Sequence, residues 1–302
     1  PETIARGIRT GALPTQGQQR KGPVRLQLGF AADDFSYSID LGLPQATKTA
    51  FTLDPEIKVE CIWAGEALRP SSVLAERRGG LVRVRRQDGD WDEVTTSLAS
   101  FHSMLSETAD PRSAPEVLHL RQMVRSWRFY DHFRTDRDAP ARRAQVGTRT
   151  TALDHEGRDL AAALQTIREL GDPDALAAAV ADAFDGGSVE IVGDGGWFTL
   201  RMHQPGLLRP LAAAELSDGT LRYLMWVAAL LTPRPPALLV INEPETSLHH
   251  ELIPALARLI LQASRKTQVW VVSHSRQLVD ALDPVEDCRV IEVEKSAGET
   301  TV

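Results

Sequence analysis

Cysteine is scarce in this chain of 302 residues. Cys61 and Cys288 stand far apart and form no Cys-x-x-Cys spacing, which excludes a disulfide framework and a cysteine zinc site and leaves two thiols that read as reduced and cytosolic. Long apolar runs are lacking too. The longest, residues 223–231, falls far short of the ~20 residues a membrane helix needs, so no membrane partner is expected. An excess of positive charge is also absent: the net charge is −7, which argues against holding nucleic acid by overall charge but permits a local basic face. With 42% hydrophobic and 25% charged residues, the chain has the composition of an ordinary globular protein with a full core.

One motif is missing that matters later. No G-x-x-x-x-G-K-[ST], the loop that cradles the β- and γ-phosphates of a nucleotide, occurs anywhere. Lys21-Gly22 has the wrong order, and the stretch from Gly7 to Thr15 lacks the lysine.

What is present centres on Ala-Leu-Leu-Val-Ile-Asn-Glu-Pro-Glu-Thr-Ser-Leu-His, residues 237–249. Residues 237–241 form a short unbroken apolar run behind Pro233, Pro235 and Pro236, the pattern of a strand buried on both faces of a parallel sheet. Asn242 and Glu243 are the first polar residues after it, and Pro244 ends the strand. In open parallel sheets that edge is where ligands bind. Upstream, Glu215-Leu216-Ser217-Asp218-Gly219-Thr220 opens a helical pattern with Leu221, Leu224, Met225, Ala228 and Leu231 on its apolar face. Downstream, residues 268–272 read as a second buried strand, ending in Ser273-His274-Ser275. On residues alone, Ser217 is equally an N-cap, and His274 a histidine satisfied at a strand end. Gly219 in a first turn is costly unless backbone must approach closely there.

In this order and spacing, these motifs resemble the ATPase domain of ABC-type proteins, in particular the soluble RecF/SMC-like and OLD-like AAA family ATPases of bacteria, over the last third of the chain. The resemblance implies an α/β P-loop NTPase head with a mainly parallel core sheet, an antiparallel β lobe and a helical insertion. Its cofactors would be ATP and Mg²⁺. It implies that Ser217, Asp218 and Gly219 meet the γ-phosphate held by the opposite subunit of a head-to-tail homodimer. Asn242 and Glu243 match the Walker B pair, with Glu243 aligning or deprotonating the attacking water. Asn242 stands where Asp is usual, so its hold on Mg²⁺, through water, should be weak. Ser247 to His249 matches the D-loop at the dimer interface, with His250 where many relatives carry Pro, and His274 matches the switch histidine. The phosphate loop is expected ahead of residue 1, on a strand beside residues 268–272; Pro1 in place of Met and a polar, turn-rich 1–22 accord with a processed or truncated start. A non-catalytic ATP sensor or scaffold that regulates a partner effector protein is the alternative, favoured by Asn242 and the missing loop. Nothing in the residues selects among DNA repair, phage defence and effector control.

The rest of the chain divides into an antiparallel lobe over 1–96, a helical insertion over 97–186 and the ATPase core over 187–302. In the lobe, strands are expected at 24–30, 35–43, 57–63, 73–77, 81–86 and 91–94 from their alternation, with turns at Gly79-Gly80 and Asp88-Gly89. Helices are expected at 98–105, 114–127, 154–170, 174–184 and 251–263, a hairpin at 189–202 and a last buried strand at 288–293. Residues 121–150 hold eight arginines, no lysine, and Trp127, Phe129, Tyr130 and Phe133. Such a segment offers guanidinium groups to nucleic-acid phosphates, or is a solvated loop anchored by its aromatics.

Overall fold

The computed structural model describes residues 25–44, 50–51, 54–86, 88–296 and 299–301. The chain forms two compact units, Pro1–Arg125 and Ser126–Val302.

In the first unit, β1 (Arg25–Phe30), β2 (Phe35–Gly42), β3 (Glu56–Ala64), β4 (Val73–Arg78), β5 (Leu81–Arg85) and β6 (Trp91–Thr95) make an antiparallel six-stranded meander in sequence order. Alternation explains it: Val73, Ala75 and Arg77 of β4 are buried, as are Val82 and Val84 of β5, while their neighbours are more open. Gly79, at φ +60°, turns the chain between β4 and β5, a conformation a β-carbon disfavours. Two helices follow, α1 (Met104–Glu107) and α2 (Pro115–Ser126). Met104, Val117 and Leu120 pack in one cluster with Ile62, Ala75, Val82 and Val84.

The helix expected at 98–105 does not form; residues 98–103 are irregular and α1 starts only at Met104. Arg77 is the cause: buried, it donates from Nη2 to Ala99 O (2.9 Å) and from Nη1 to His102 O (2.8 Å). Ser100 O accepts from Ile57 N at 2.7 Å. Those carbonyls serve the sheet instead of a helix, and α1 starts only where Ser103 caps it through Leu105 N.

The second unit runs β7 (Arg128–Tyr130), β8 (Gln145–Val146), α3 (Leu160–Leu170), α4 (Pro173–Ala183), β9 (Ser188–Asp194), β10 (Trp197–His203), β11 (Leu211–Ala212), α5 (Asp218–Leu230), β12 (Leu238–Asn242), α6 (Ile253–Ser264), β13 (Gln268–Val272), α7 (Arg276–Leu282), β14 (Glu294–Ser296) and β15 (Glu299–Thr301). Its centre is a parallel sheet of order β13-β12-β7. A second, antiparallel sheet joins β11, β10 and β8, with β9 paired to β10 as the expected hairpin. Helix α5 is buried continuously from Leu221 to Leu230, as befits a helix apolar all round. Leu160, Leu164, Ile167, Leu176 and Val180 of α3 and α4 pack in its cluster. Residues 97–186 are therefore divided between two cores and do not form a body of their own.

Two boundaries shift for local reasons. Pro254 has no N–H for residue 250, so α6 begins at Ile253 behind a single tighter turn, His250–Leu252. Gly157, at φ +69°, makes a turn with its N–H on Asp154 O, which delays α3 to Leu160. Residues 288–293, expected as a buried strand, pair with none among the described residues. Ile291 and Val293 are 57% and 62% exposed. A hydrophobic-rich stretch becomes a buried strand only where a neighbour takes its backbone bonds, and among the described residues none stands there. Likewise β13 pairs only with β12 among the described residues, with no strand on its other side. Among the described residues, no helix is long and apolar enough to cross a membrane.

Candidate functional site

Parallel register fixes the site. Ile241 lies opposite Tyr130 on one side, and Asn242 opposite Val272 on the other, so three strands end together. The residues just past those ends converge at one edge: Asp131 after β7, Asn242 and Glu243 at β12, and Ser273 to Ser275 after β13. This is the carboxyl edge where open parallel sheets bind ligands.

Glu243 sits there in a left-handed backbone conformation, φ +44°, and Ser247 follows at φ +64°. Each costs about 1–3 kcal/mol for such residues and persists only where surroundings impose it. The surroundings are visible. Glu243 N donates to Val272 O at 2.7 Å, and Thr246 N closes the turn on Glu243 O at 3.0 Å. The Glu243 carboxylate takes a hydrogen bond from Thr246 Oγ1 at 3.2 Å and faces His274, whose Nε2 is 3.7 Å from Oε1. His274 is otherwise open, 87% exposed. The two residues expected at the hydrolytic centre are thus brought together.

What holds the His274 loop is Glu245. Its Oε1 accepts from Ser273 Oγ (2.6 Å), His274 N (3.1 Å) and Ser275 N (3.1 Å). Its Oε2 is buried without a partner among the described residues. Ser275 then caps α7. A second carboxylate two residues beyond Glu243 was the signal for it in the sequence. Asp131 is the other residue not anticipated. Its Oδ1 accepts from Asn242 Nδ2 at 2.6 Å, and its cue was the same as Asn242's: the first polar residue after a short strand.

Helix α5 is locked behind this edge. Ser217 is its N-cap, accepting from Thr220 N at 3.1 Å, so the capping role is real. Asp218 Oδ1 accepts from Arg142 Nη2 at 2.6 Å, and Arg142 Nη1 donates to Leu216 O at 2.7 Å, which fixes the Ser217–Gly219 turn from behind. Gly219 meets the turn after Glu243: a β-carbon placed on it would lie 3.0 Å from Ser247 O. Arg222 Nη1 donates to Thr246 O at 2.8 Å and Trp226 Nε1 to Pro244 O at 3.0 Å. Helix start and β12 turn therefore move as one piece. His249 extends from that turn beside His250 and Glu251, with its Nδ1 3.4 Å from Glu251 Oε2. The Ser217 side chain, by contrast, bonds only within its own helix among the described residues, to Thr220 N and Thr220 Oγ1.

Three of the eight arginines of residues 121–150 are taken up by carboxylates. Arg142 is buried on Asp218, while Arg134 pairs with Asp136 and Arg143 with Asp138. Its bond to Arg134 holds the Asp136 carboxyl down at about 2.

An α/β unit whose parallel sheet presents carboxamide, carboxylate and histidine at its carboxyl edge, beside a buried helix opening at Ser-Asp-Gly, has the architecture of an ATPase core. The family model described as "AAA domain, putative AbiEii toxin, Type IV TA system" matches residues 83–280. The chain belongs to this AAA-domain family, and with it to the P-loop ABC/AAA-type ATPase group. A search of curated proteins gives no match. Among solved structures, an SMC head bound to the C-winged helix domain of ScpA is similar at 10% identity and a TM-score of 0.41, over 88% of this chain and 73% of the other. The SMC head domain from Thermotoga maritima is similar at 12% identity and 0.35, over 82% and 68%. A structure from work on ATP-driven dimerization and DNA stimulated activation of SMC ATPases is similar at 15% and 0.38, over 46% and 84%.

Proposed function

We propose that the protein binds and hydrolyses ATP as a head-to-tail homodimer and uses the cycle as a conformational switch. The observation that carries this is Glu243 facing His274 across 3.7 Å at the carboxyl edge of β12 and β13, with both loops tied through Glu245. Glu243 aligns the attacking water in line with the γ-phosphate, and His274 senses that phosphate. Ser217, Asp218 and Gly219 serve the partner's nucleotide, and Ser247 and His249 line the interface between copies. Oxygen donors alone, from Asn242 and the carboxylates beside it, fit Mg²⁺, which favours carboxylates and retained water. When bound, Mg²⁺ would neutralise charge on the phosphates. The sequence holds no phosphate loop, so no residue here is assigned to cradle the triphosphate.

A non-catalytic sensor or scaffold acting on a partner effector is the second reading. The neutral Asn242 and the missing loop favour it. Phage defence and DNA repair are the outputs to test first, and a nucleic-acid contact through 121–150 is the weaker part, since Arg134, Arg142 and Arg143 are already paired. Glu243→Gln separates the readings: it should abolish turnover and accumulate an ATP-dependent dimer by light scattering. Wild-type protein with no turnover, and a variant indistinguishable from it, would leave the scaffold.

A further inference from the structure

We infer that Asp131 supplies the metal-side negative charge that Asn242 lacks. This rests on the ATPase reading and deepens it. Asn242 and Asp131 lie 111 residues apart in sequence, yet they are next in register at the ends of paired strands, since Ile241 lies opposite Tyr130. The 2.6 Å bond from Asn242 Nδ2 to Asp131 Oδ1 has the length of a charge-assisted contact. It also orients both side chains. Because the amide nitrogen is turned to Asp131, Asn242 Oδ1 is left as an acceptor, and Asp131 Oδ2 has no hydrogen-bond partner among the described residues. Two oxygens, one carrying the charge, are thereby presented beside Glu243.

That donor set suits a small hard cation. Mg²⁺ needs one or two carboxylates and keeps several waters, and Asp131 is exposed enough to leave room for them. With Asn242 alone the strand end would offer only a neutral amide. Asp131 moves the charge one strand over and leaves the donor count at the sheet edge unchanged. A merely structural Asp131, tying β7 to β12, predicts no effect of its charge on cation binding.

The test uses the full protein and Mn²⁺ as the probe, read as loss of the free-ion signal by electron paramagnetic resonance without nucleotide. Asp131→Asn keeps an acceptor for Asn242 Nδ2, so the strand ends stay joined; circular dichroism melting checks this. Binding should weaken by about tenfold or more, as ligand charge sets affinity. Returning the charge to the next strand, Asp131→Asn with Asn242→Asp, should restore most of it. Wild-type protein that binds no Mn²⁺, Asp131→Asn that binds as wild type, or a double variant that folds without recovery would each overturn the inference. ATP turnover is scored separately: its absence with Mn²⁺ binding intact removes the ATPase reading and leaves the cation site standing.

Discussion

Glu245 Oε1 accepts from Ser273 Oγ at 2.6 Å, and by that bond the turn after β12 and the loop after β13 become one rigid element. The two amides on the same oxygen, from His274 and Ser275, make the joint specific to a carboxyl group in that place. His274 has little else to hold it, being exposed apart from its approach to Glu243. Its position is therefore a property of Glu245.

The first prediction concerns this joint. Glu245→Ala removes the acceptor for three donors, which for bonds to a charged group is worth about 1–3 kcal/mol after allowing for partial solvent access. Turnover should fall with it, since His274 loses its register with Glu243. Glu245→Gln keeps one carbonyl oxygen and should lose much less on both counts. Urea midpoints and turnover for the pair check this, and an alanine variant equal to wild type in both would show that the loop is held by something else.

Gly219 gives the second. Alanine is normally about 1 kcal/mol better than glycine inside a helix. Here the added carbon would sit 3.0 Å from Ser247 O, and that oxygen belongs to a turn already held at φ +64°. Overpacking costs about 1–3 kcal/mol, so Gly219→Ala should be destabilising by about 1 kcal/mol net. A thermal melt shifted upward would mean that the Ser247 turn yields freely.

How much of this was legible in the sequence depends on the range of the interaction. The six lobe strands could be read because alternation is local, and each begins or ends within about two residues of its expected place. Glu243 and His274 could be read because each stands at the end of an apolar run. Asp131 and Glu245 stand where a polar residue just past a strand could be noticed, but their roles could not be read, since those come from partners 111 and 28 residues away. The helix expected at 98–105 failed for the same reason: its carbonyls go to Arg77, and nothing in those residues announces it. Residues 288–293 show the reverse case, a hydrophobic-rich stretch with no partner strand among the described residues.

Arg77 carries the third prediction. Its side chain and that of Glu60 are both 0% exposed and meet at 3.2 Å. Glu60 also accepts from Tyr37 OH and Met104 N, both at 2.8 Å, and from Ser103 Oγ. Burial first, and then the Glu60 charge, pushes the Tyr37 hydroxyl well above the usual phenol range, so it stays a donor. Arg77 Nε donates to Gly79 O at 2.8 Å, so every nitrogen of the guanidinium has a partner. Two buried charges are tolerated only with this degree of pairing. Arg77→Met leaves Glu60 buried with its charge uncompensated and frees the carbonyls of Ala99 and His102, so it should cost about 3–5 kcal/mol. Arg77→Met with Glu60→Gln should recover part of that loss, because it removes the charge and the single amide oxygen still accepts from Tyr37 OH and Ser103 Oγ, which share Oε1, while the bond from Met104 N to Oε2 is given up. Chemical denaturation of the single and double variants measures it: a single variant losing under about 1 kcal/mol would mean the pair is solvated, and a double variant no better than the single would mean that the carbonyls of residues 99–102, rather than the charge, set the cost.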